Sequence, residues 1–386
     1  MHLVLARLPD APPGVKGISM FLVPKFLVNA DGSLGAKNDL RCVGLEHKLG
    51  IHGSPTCAMS FGDNDGAIGY LVGQANRGLE YMFIMMNEAR FGVGVQGIGI
   101  GERSYQQALA FAKERVQGRD AVSGAAGQPI IGHPDVKRML LTMRARIMAM
   151  RALALTAAGW FDVARHAPDR AAADKARRYV DLLMPVVKGW CTETCQQICY
   201  DAIQVHGGMG FVEETGIAQH YRDARIITIY EGTTGIQAND LIGRKVLREN
   251  GATLRELITE MRGVAAELSA IGNLRSLGQR LEEDILALER ALDWILANGR
   301  ERLGAVLAGA VPFLHLLGTV CGSWQMGRVA LAATRPARAD AWDAGYLLGL
   351  VELARFHAHA LGVQAPALAA AIVGAGETAN AFALEL

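Results

Sequence analysis

Short apolar runs rich in β-branched and aromatic residues open the chain. HLVLAR and GISMFLVPKF are separated by the turn-forming PDAPPGVKG, a pattern that predicts strands. Asn29 to Ser33 (NADGS) forms a further turn, and SPTCAMSFGD alternates its faces as another strand. These are pieces of a sheet over residues 1–75, and the first strand has no opening element before it. From Leu79 the period lengthens. Leu79, Met82, Phe83 and Met86, then Ala108, Phe111 and Ala112, are spaced as one face of long helices. The same spacing runs over Asp135 to Arg165, Ala171 to His206 and Ile236 to Asn250, with breaks at Gly132-His133-Pro134 and Ala167-Pro168-Asp169. After about Thr253 the chain is rich in Ala, Leu and Arg and predicts helices over 253–271, 277–299, 303–333, 337–361 and 366–383. The expected architecture is mainly α: a partial β-sheet domain (1–75), a helical bundle (76–250) and an additional C-terminal helical domain (251–386).

Composition narrows the function. Half of the 386 residues are apolar, enough for a large core, and 39 basic residues nearly cancel 38 acidic ones. That balance argues against a nucleic-acid partner, which needs a concentrated basic surface. Cys191, Cys195 and Cys199 fall in one helical stripe with no His or fourth Cys at ligand spacing. They are expected to be reduced core thiols of a cytoplasmic protein, with no metal site. The opening MHLVLARLPDAPPG lacks the long apolar stretch and cleavage site of a signal peptide. Gly304 to Gly327 is long enough for a membrane span, but it contains Pro312, His315 and Gln325 and lies between amphipathic helices. A buried bundle helix is expected there, and no membrane span.

Four features carry candidate chemistry, each with a plainer alternative. FGVGVQGIGIGE (Phe91 to Glu102) lies inside a helical pattern without a preceding core strand, so its glycines predict tight helix packing and not a dinucleotide fingerprint. In QVHGGMGF, Gly207, Gly208 and Gly210 allow a chain reversal and bare backbone N–H groups near a ligand, or simply a helix terminator. In RDARIITIYEGTTGIQAND, Glu231 follows an apolar approach and precedes Gly232, Thr233 and Thr234. Desolvation there would raise a carboxylate toward a useful general base, whereas a solvent-facing Glu at a helix start is the plain alternative. Arg115, at the end of a long helix, suits a phosphate or merely the helix carboxyl end.

In order, KLGIHGSPT, ANRGLEYMF, ARFGVG, KERVQGR, QVHGGMGF and IYEGTTGIQ resemble the acyl-CoA dehydrogenase family, from its middle β domain through its C-terminal helical domain, over about residues 1–250. The remainder resembles the extra helical domain of a larger subgroup that includes the methylmercaptopropionyl-CoA dehydrogenases. The resemblance implies an acyl-CoA dehydrogenase-type four-helix bundle followed by the extra helical bundle. It implies FAD-dependent α,β-dehydrogenation of an acyl-CoA thioester to a trans-2-enoyl-CoA, with 3-(methylthio)propanoyl-CoA among the candidate substrates. Glu231 is then the α-proton base, its backbone N–H also meeting the thioester carbonyl, and the hydride leaves to flavin N5. The alternative base position of some relatives is Ala89 here. Arg115 and Gln117 correspond to pyrophosphate contacts made across a subunit interface, Gln204, Gly207 and Gly208 to the adenosine side, and Thr233 and Gln237 to the dinucleotide beside the base. Asn87, Arg90, Tyr230 and Gly232 correspond to substrate contacts. Two departures stand out: Gly118 where many relatives carry an aromatic, and Asn87 where a carboxylate is common. The family's opening helical domain and the segment covering the flavin ring have no counterpart here, so a truncated chain that holds FAD poorly is expected. Implied partners are electron-transferring flavoprotein and a homodimer or homotetramer. A catalytically silent binding or structural protein and an acyl-CoA oxidase are the rival readings.

Overall fold

The computed structural model describes residues 1–119, 122–335 and 341–381, without the side chains of Asn87, Ala375, Glu377, Asn380 and Ala381. The chain forms two compact units, Met1–Ala89 and Arg90–Leu386.

The first unit is the β part. β1 (His2–Arg7), β2 (Ile18–Val23) and β7 (Tyr70–Leu71) form an antiparallel sheet in the order β1-β2-β7, with His2 opposite Val23 and Arg7 opposite Ile18. Two hairpins complete it: β3 (Phe26–Val28) with β4 (Leu34–Lys37), and β5 (Leu40–Leu45) with β6 (Cys57–Phe61). The NADGS turn closes the first hairpin through Gly32 at φ +84° and the Asp31 carboxylate, which accepts the Ser33 N–H at 3.0 Å. Few apolar side chains are buried here, chiefly Met20, Val23 and Leu40. Buried Asn38 helps to join the strands: its Nδ2 donates to Pro24 O (2.9 Å) and Ile68 O (2.8 Å), and its Oδ1 accepts from Ile68 N (2.9 Å). A fully satisfied buried amide of this kind specifies strand placement where hydrophobic burial is thin.

The second unit is helical. α1 (Gly78–Glu114) contributes its stretch from Arg90 onward, followed by α2 (Pro134–His166) and α3 (Arg170–His206). The glycines of α1 serve close packing. A β-carbon on Gly94 would lie 2.7 Å from Val187 O, one on Gly97 3.2 Å from Cys191 O, and one on Gly101 3.2 Å from the Ile198 side chain. α1 therefore runs parallel to α3 with the two backbones in near contact, as the sequence predicts. α2 runs antiparallel to α3: Trp160 packs edge-on against Tyr179 (4.7 Å), and Arg146 pairs with Asp201 (3.3 Å). Asp169 caps α3 by accepting the N–H groups of Ala171 and Ala172.

α4 (Ile217–Ala224) and α5 (Thr234–Asp240) are short, and α6 (Ala252–Ala270), α7 (Arg275–Asn298), α8 (Leu303–Ala308), α9 (Ala310–Ala333), α10 (Ala344–Ala360) and α11 (Ala365–Ala381) follow. Two expectations are corrected. The helix expected over 303–333 breaks at Gly309, where a β-carbon would sit 3.1 Å from Ile372 O of α11. The helix expected from Ile236 to Asn250 is regular only to Asp240 and then widens into a π turn over Leu241–Leu247. α9, which covers most of the uncharged stretch, is a core helix: Phe313, Leu314, Leu316, Leu317, Val320 and Cys321 are fully buried. By length and composition two other helical stretches could cross a membrane, Pro134–His166 and Ala344–Gly374, with 33% and 39% of their apolar windows buried in the protein.

Candidate active site

α3 organises the site. Its Cys195 and Cys199 pack with Val93, Ala224 and Ile227 in a small cluster, against which Ile226 and Tyr230 rest. This cluster seats the segment leading to Glu231, and the Tyr230 hydroxyl donates to the Gln96 side chain. Glu231 then takes φ +58° and Gly232 φ +88°. Two successive left-handed residues turn the chain sharply, a conformation unfavourable at a non-glycine position unless neighbours enforce it. The enforcing contacts are visible. Gln237 Nε2 donates to Glu231 O at 3.0 Å, and Lys188 Nζ of α3 donates to Gly232 O at 2.6 Å. Thr233 caps α5 by accepting the Ile236 N–H (3.3 Å), and the Thr234 hydroxyl donates to Glu193 of α3.

The outcome is a half-buried carboxylate with one enclosed oxygen: Glu231 Oε2 is buried and has no hydrogen-bond partner. Gln237 is fully buried, and its Oε1 is likewise unpartnered. Lys188 has no exposed surface, and burial lowers its ammonium to about 8; Glu193 and Glu231 oppose that fall, and Arg90 adds to it. Arg90 lies 3.9 Å from Asp240, both side chains nearly inaccessible, and its Nε is unpartnered. Burial pushes the Tyr230 phenol up, with the Glu231 charge adding to the effect.

Glu231, Gly232, Thr233, Gln237, Tyr230 and Arg90 therefore belong to one neighbourhood, together with three residues that sequence reading missed: Lys188, Glu193 and Asp240. The side chain of Asn87 lies outside the described residues. The remaining candidates gather at the C-terminal end of α3. Phe111, one turn before Arg115, stacks on His206 at 4.3 Å, so the end of α1 meets the end of α3. Arg115 and Gln117 are exposed there, joined by a 3.4 Å side-chain hydrogen bond. Gln204 is exposed, and its carbonyl accepts the Gly207 N–H that ends the helix at φ +59°. A β-carbon on Gly207 or Gly208 would meet nothing within 4 Å, whereas one on Gly210 would strike Ile203 O at 2.4 Å. Gly207 and Gly208 thus present open backbone, and Gly210 is needed for packing. At 1.5 Å per residue, Lys188, midway along α3, and Gly207, just past its C-terminal end, are roughly 28 Å apart.

Behind Glu193 opens a cavity of about 420 Å³ lined by Arg146, His315 and His357 among others. A groove of about 700 Å³ along Leu141, Tyr346 and Phe356 includes none of the residues around Glu231.

Comparison with known proteins matches residues 76–247 to the acyl-CoA dehydrogenase C-terminal domain and residues 255–383 to an acetyl-CoA dehydrogenase C-terminal-like domain. The chain is 48% identical to 3-methylmercaptopropionyl-CoA dehydrogenase of Ruegeria pomeroyi, over 98% of this chain and 64% of that protein. It is 35% identical to a broad-specificity linear acyl-CoA dehydrogenase of Mycobacterium tuberculosis, over 92% of this chain and 61% of that one. The chain thus spans less than two thirds of these relatives. Among solved structures, an acyl-CoA dehydrogenase from Bacillus anthracis complexed with FAD superposes on the whole chain with a TM-score of 0.75 at 18% identity, covering 64% of that chain. ACDH-11 of Caenorhabditis elegans with C11-CoA gives 0.72 at 21%, over 93% of this chain and 56% of that one. These two likenesses describe the fold.

Proposed function

Because the chain belongs to the acyl-CoA dehydrogenase family, we propose that it carries the catalytic base and part of the cofactor site of an FAD-dependent acyl-CoA dehydrogenase. The observation carrying this reading is the half-buried Glu231 side chain, whose Oε2 is buried and unpartnered, on a left-handed turn held at both successive carbonyls. A thioester α-proton is too weakly acidic for a solvated carboxylate. A desolvated, immobile one is far better suited, because it need not shed water or reorient as the proton moves.

FAD fits the residues present. Gln237 Oε1 is a buried acceptor without a partner, Gly207 and Gly208 offer open backbone, and Arg115 and Gln117 are exposed beside them. Bound there, FAD would accept the β-hydrogen as hydride. Gln237 and Thr233 would hold the dinucleotide near the base, Tyr230 and Gly232 would border the acyl group, and the backbone N–H of Glu231 would steady the thioester carbonyl as charge develops. The family resemblance assigns the CoA portion to the positions of Asn87 and Arg90. The middle of α3 and its C-terminal end are too far apart for one compact contact set. That favours a homodimer or homotetramer in which Arg115, Gln117, Gln204, Gly207 and Gly208 serve a neighbour's cofactor. Electron-transferring flavoprotein is the proposed acceptor and the cytoplasm the proposed location.

The 48% identical relative makes 3-(methylthio)propanoyl-CoA the first substrate to try. Purified protein supplied with FAD should show a bound-flavin spectrum that bleaches anaerobically with this thioester. Glu231→Gln should abolish bleaching and α-proton exchange with solvent while leaving bound flavin in place. Near-normal exchange in that variant would refute the assignment of the base.

A further inference from the structure

Lys188 is the most unusual residue of the helical unit. Its side chain has no solvent-exposed surface, and it lies in the apolar run LLMPVVKGW of α3. The one hydrogen bond seen for its ammonium is to Gly232 O, at 2.6 Å. An apolar residue of similar length would fill the same space without taking a charge out of water. The ammonium is therefore poorly explained as packing. What it does contact is the Gly232–Thr233 peptide, one residue beyond Glu231. Glu231 and Gly232 both stand at positive φ, and their two carbonyls are held from opposite sides of the turn, one by Gln237 of α5 and the other by Lys188 of α3. Gly232 has no freedom to relax by gaining a side chain, since a β-carbon there would lie 2.7 Å from Gln237 Nε2. Glu231 O belongs to the peptide beside the Glu231 Cα and Gly232 O to the next one along, so releasing either carbonyl loosens the left-handed turn that sets the direction of the Glu231 side chain. The hydroxyl of Thr234 on Glu193, five residues along α3 from Lys188, anchors the downstream end of the same segment.

We infer that Lys188 is a positioning residue for the base: it clamps the Glu231–Gly232 turn to α3 and so fixes where the Glu231 carboxylate points. The inference rests on the reading of Glu231 as the base, and the test separates the two.

Hydrogen–deuterium exchange of the cofactor-free chain compares wild type, Lys188→Met and Glu231→Gln. Lys188→Met should speed exchange over residues 229–236 by roughly tenfold or more, the scale of losing one charge-assisted hydrogen bond, with the rest of α3 and α2 unchanged. Glu231→Gln, which keeps the clamp, should exchange as wild type. Unchanged protection in Lys188→Met, or a loss spread evenly over the unit, overturns the clamp. Lys188→Gln, polar but too short to span the gap, gives the same comparison should the methionine variant fail to fold. In FAD-loaded protein, α-proton exchange of the acyl-CoA should fall at least roughly tenfold in Lys188→Met at undiminished flavin occupancy. Wild-type exchange there also overturns the inference. If Glu231→Gln still exchanges α-protons, the base reading fails on its own, and the positioning role fails with it even where the deuterium data show a clamp.

Discussion

Replacing Lys188 by methionine should change how stability depends on pH more than it changes stability at neutrality. Burial carries this ammonium from an ordinary value of 10.5 down to about 8. At about 1.4 kcal/mol for each tenfold in acidity, the folded state disfavours the charged lysine by about 3 kcal/mol. Below pH 8 both folded and unfolded chains hold the proton, and that penalty is present in full. Between 8 and 10.5 the unfolded chain still binds a proton that the folded chain has released, so wild-type stability rises with pH across this window. Lys188→Met lacks the term. At pH 7 the variant sheds the penalty of about 3 kcal/mol but leaves Gly232 O without its charged donor, a loss of about 1.5–3 kcal/mol, so the two proteins should nearly match. By pH 10.5 the wild type should be ahead by about 3 kcal/mol, or roughly 6 °C in Tm at the lower slope expected for a large domain. Circular dichroism melts of both proteins at half-unit steps through the window measure the difference, and every other titration common to the two cancels. Parallel curves would mean that Lys188 is solvated, and the account of a buried ammonium would fail.

Gly318→Ala should lose about 1–3 kcal/mol by overpacking, because its β-carbon would fall 2.2 Å from Cγ of buried Trp190; an unshifted urea midpoint would contradict that packing. Asp284, buried on α7 beside Arg280, is raised from 3.8 to about 6 by desolvation. The folded chain therefore keeps a proton that the unfolded one loses, and this contribution is full below 3.8 and gone above about 6. His357, buried on α10, is lowered from 6.5 to about 4, mainly by burial with Arg146 adding to it, so its contribution is full above 6.5 and lost as pH falls toward 4. The two opposed slopes, each worth about 3 kcal/mol, overlap. Asp284→Asn should therefore steepen the loss of stability on acidification, and His357→Asn should reverse it; melts between pH 4 and 6.5 that match wild type in both variants would refute the burial of these groups.

Local chemistry was enough to read much of this protein. The alternating runs of the first unit, the 3.6-residue period from Leu79, the break at Ala167-Pro168-Asp169 and the Gly207 terminator all act within a few residues of chain, so the sequence alone determined strands, helices and most of their ends. The glycines of α1 were also legible, since several small residues within one helix have few uses besides close approach. Glu231 stood out by its neighbours, Tyr230 and Gly232. Lys188 did not. A lysine in an apolar helix ordinarily carries its amine out to solvent along its own stem, and only the segment folded over α3, 44 residues further on at Gly232, turns it into a buried donor. The break at Gly309 depends on α11 pressing against it, and the raised Asp284 on which helices enclose it. Burial, partner and conformation at such positions are properties of the packed unit, because hydrogen bonds and desolvation join elements whose separation along the chain carries no local signal. Sequence singled out Glu231 as the candidate base; tertiary structure decided that its Oε2 is enclosed and which contacts hold its turn.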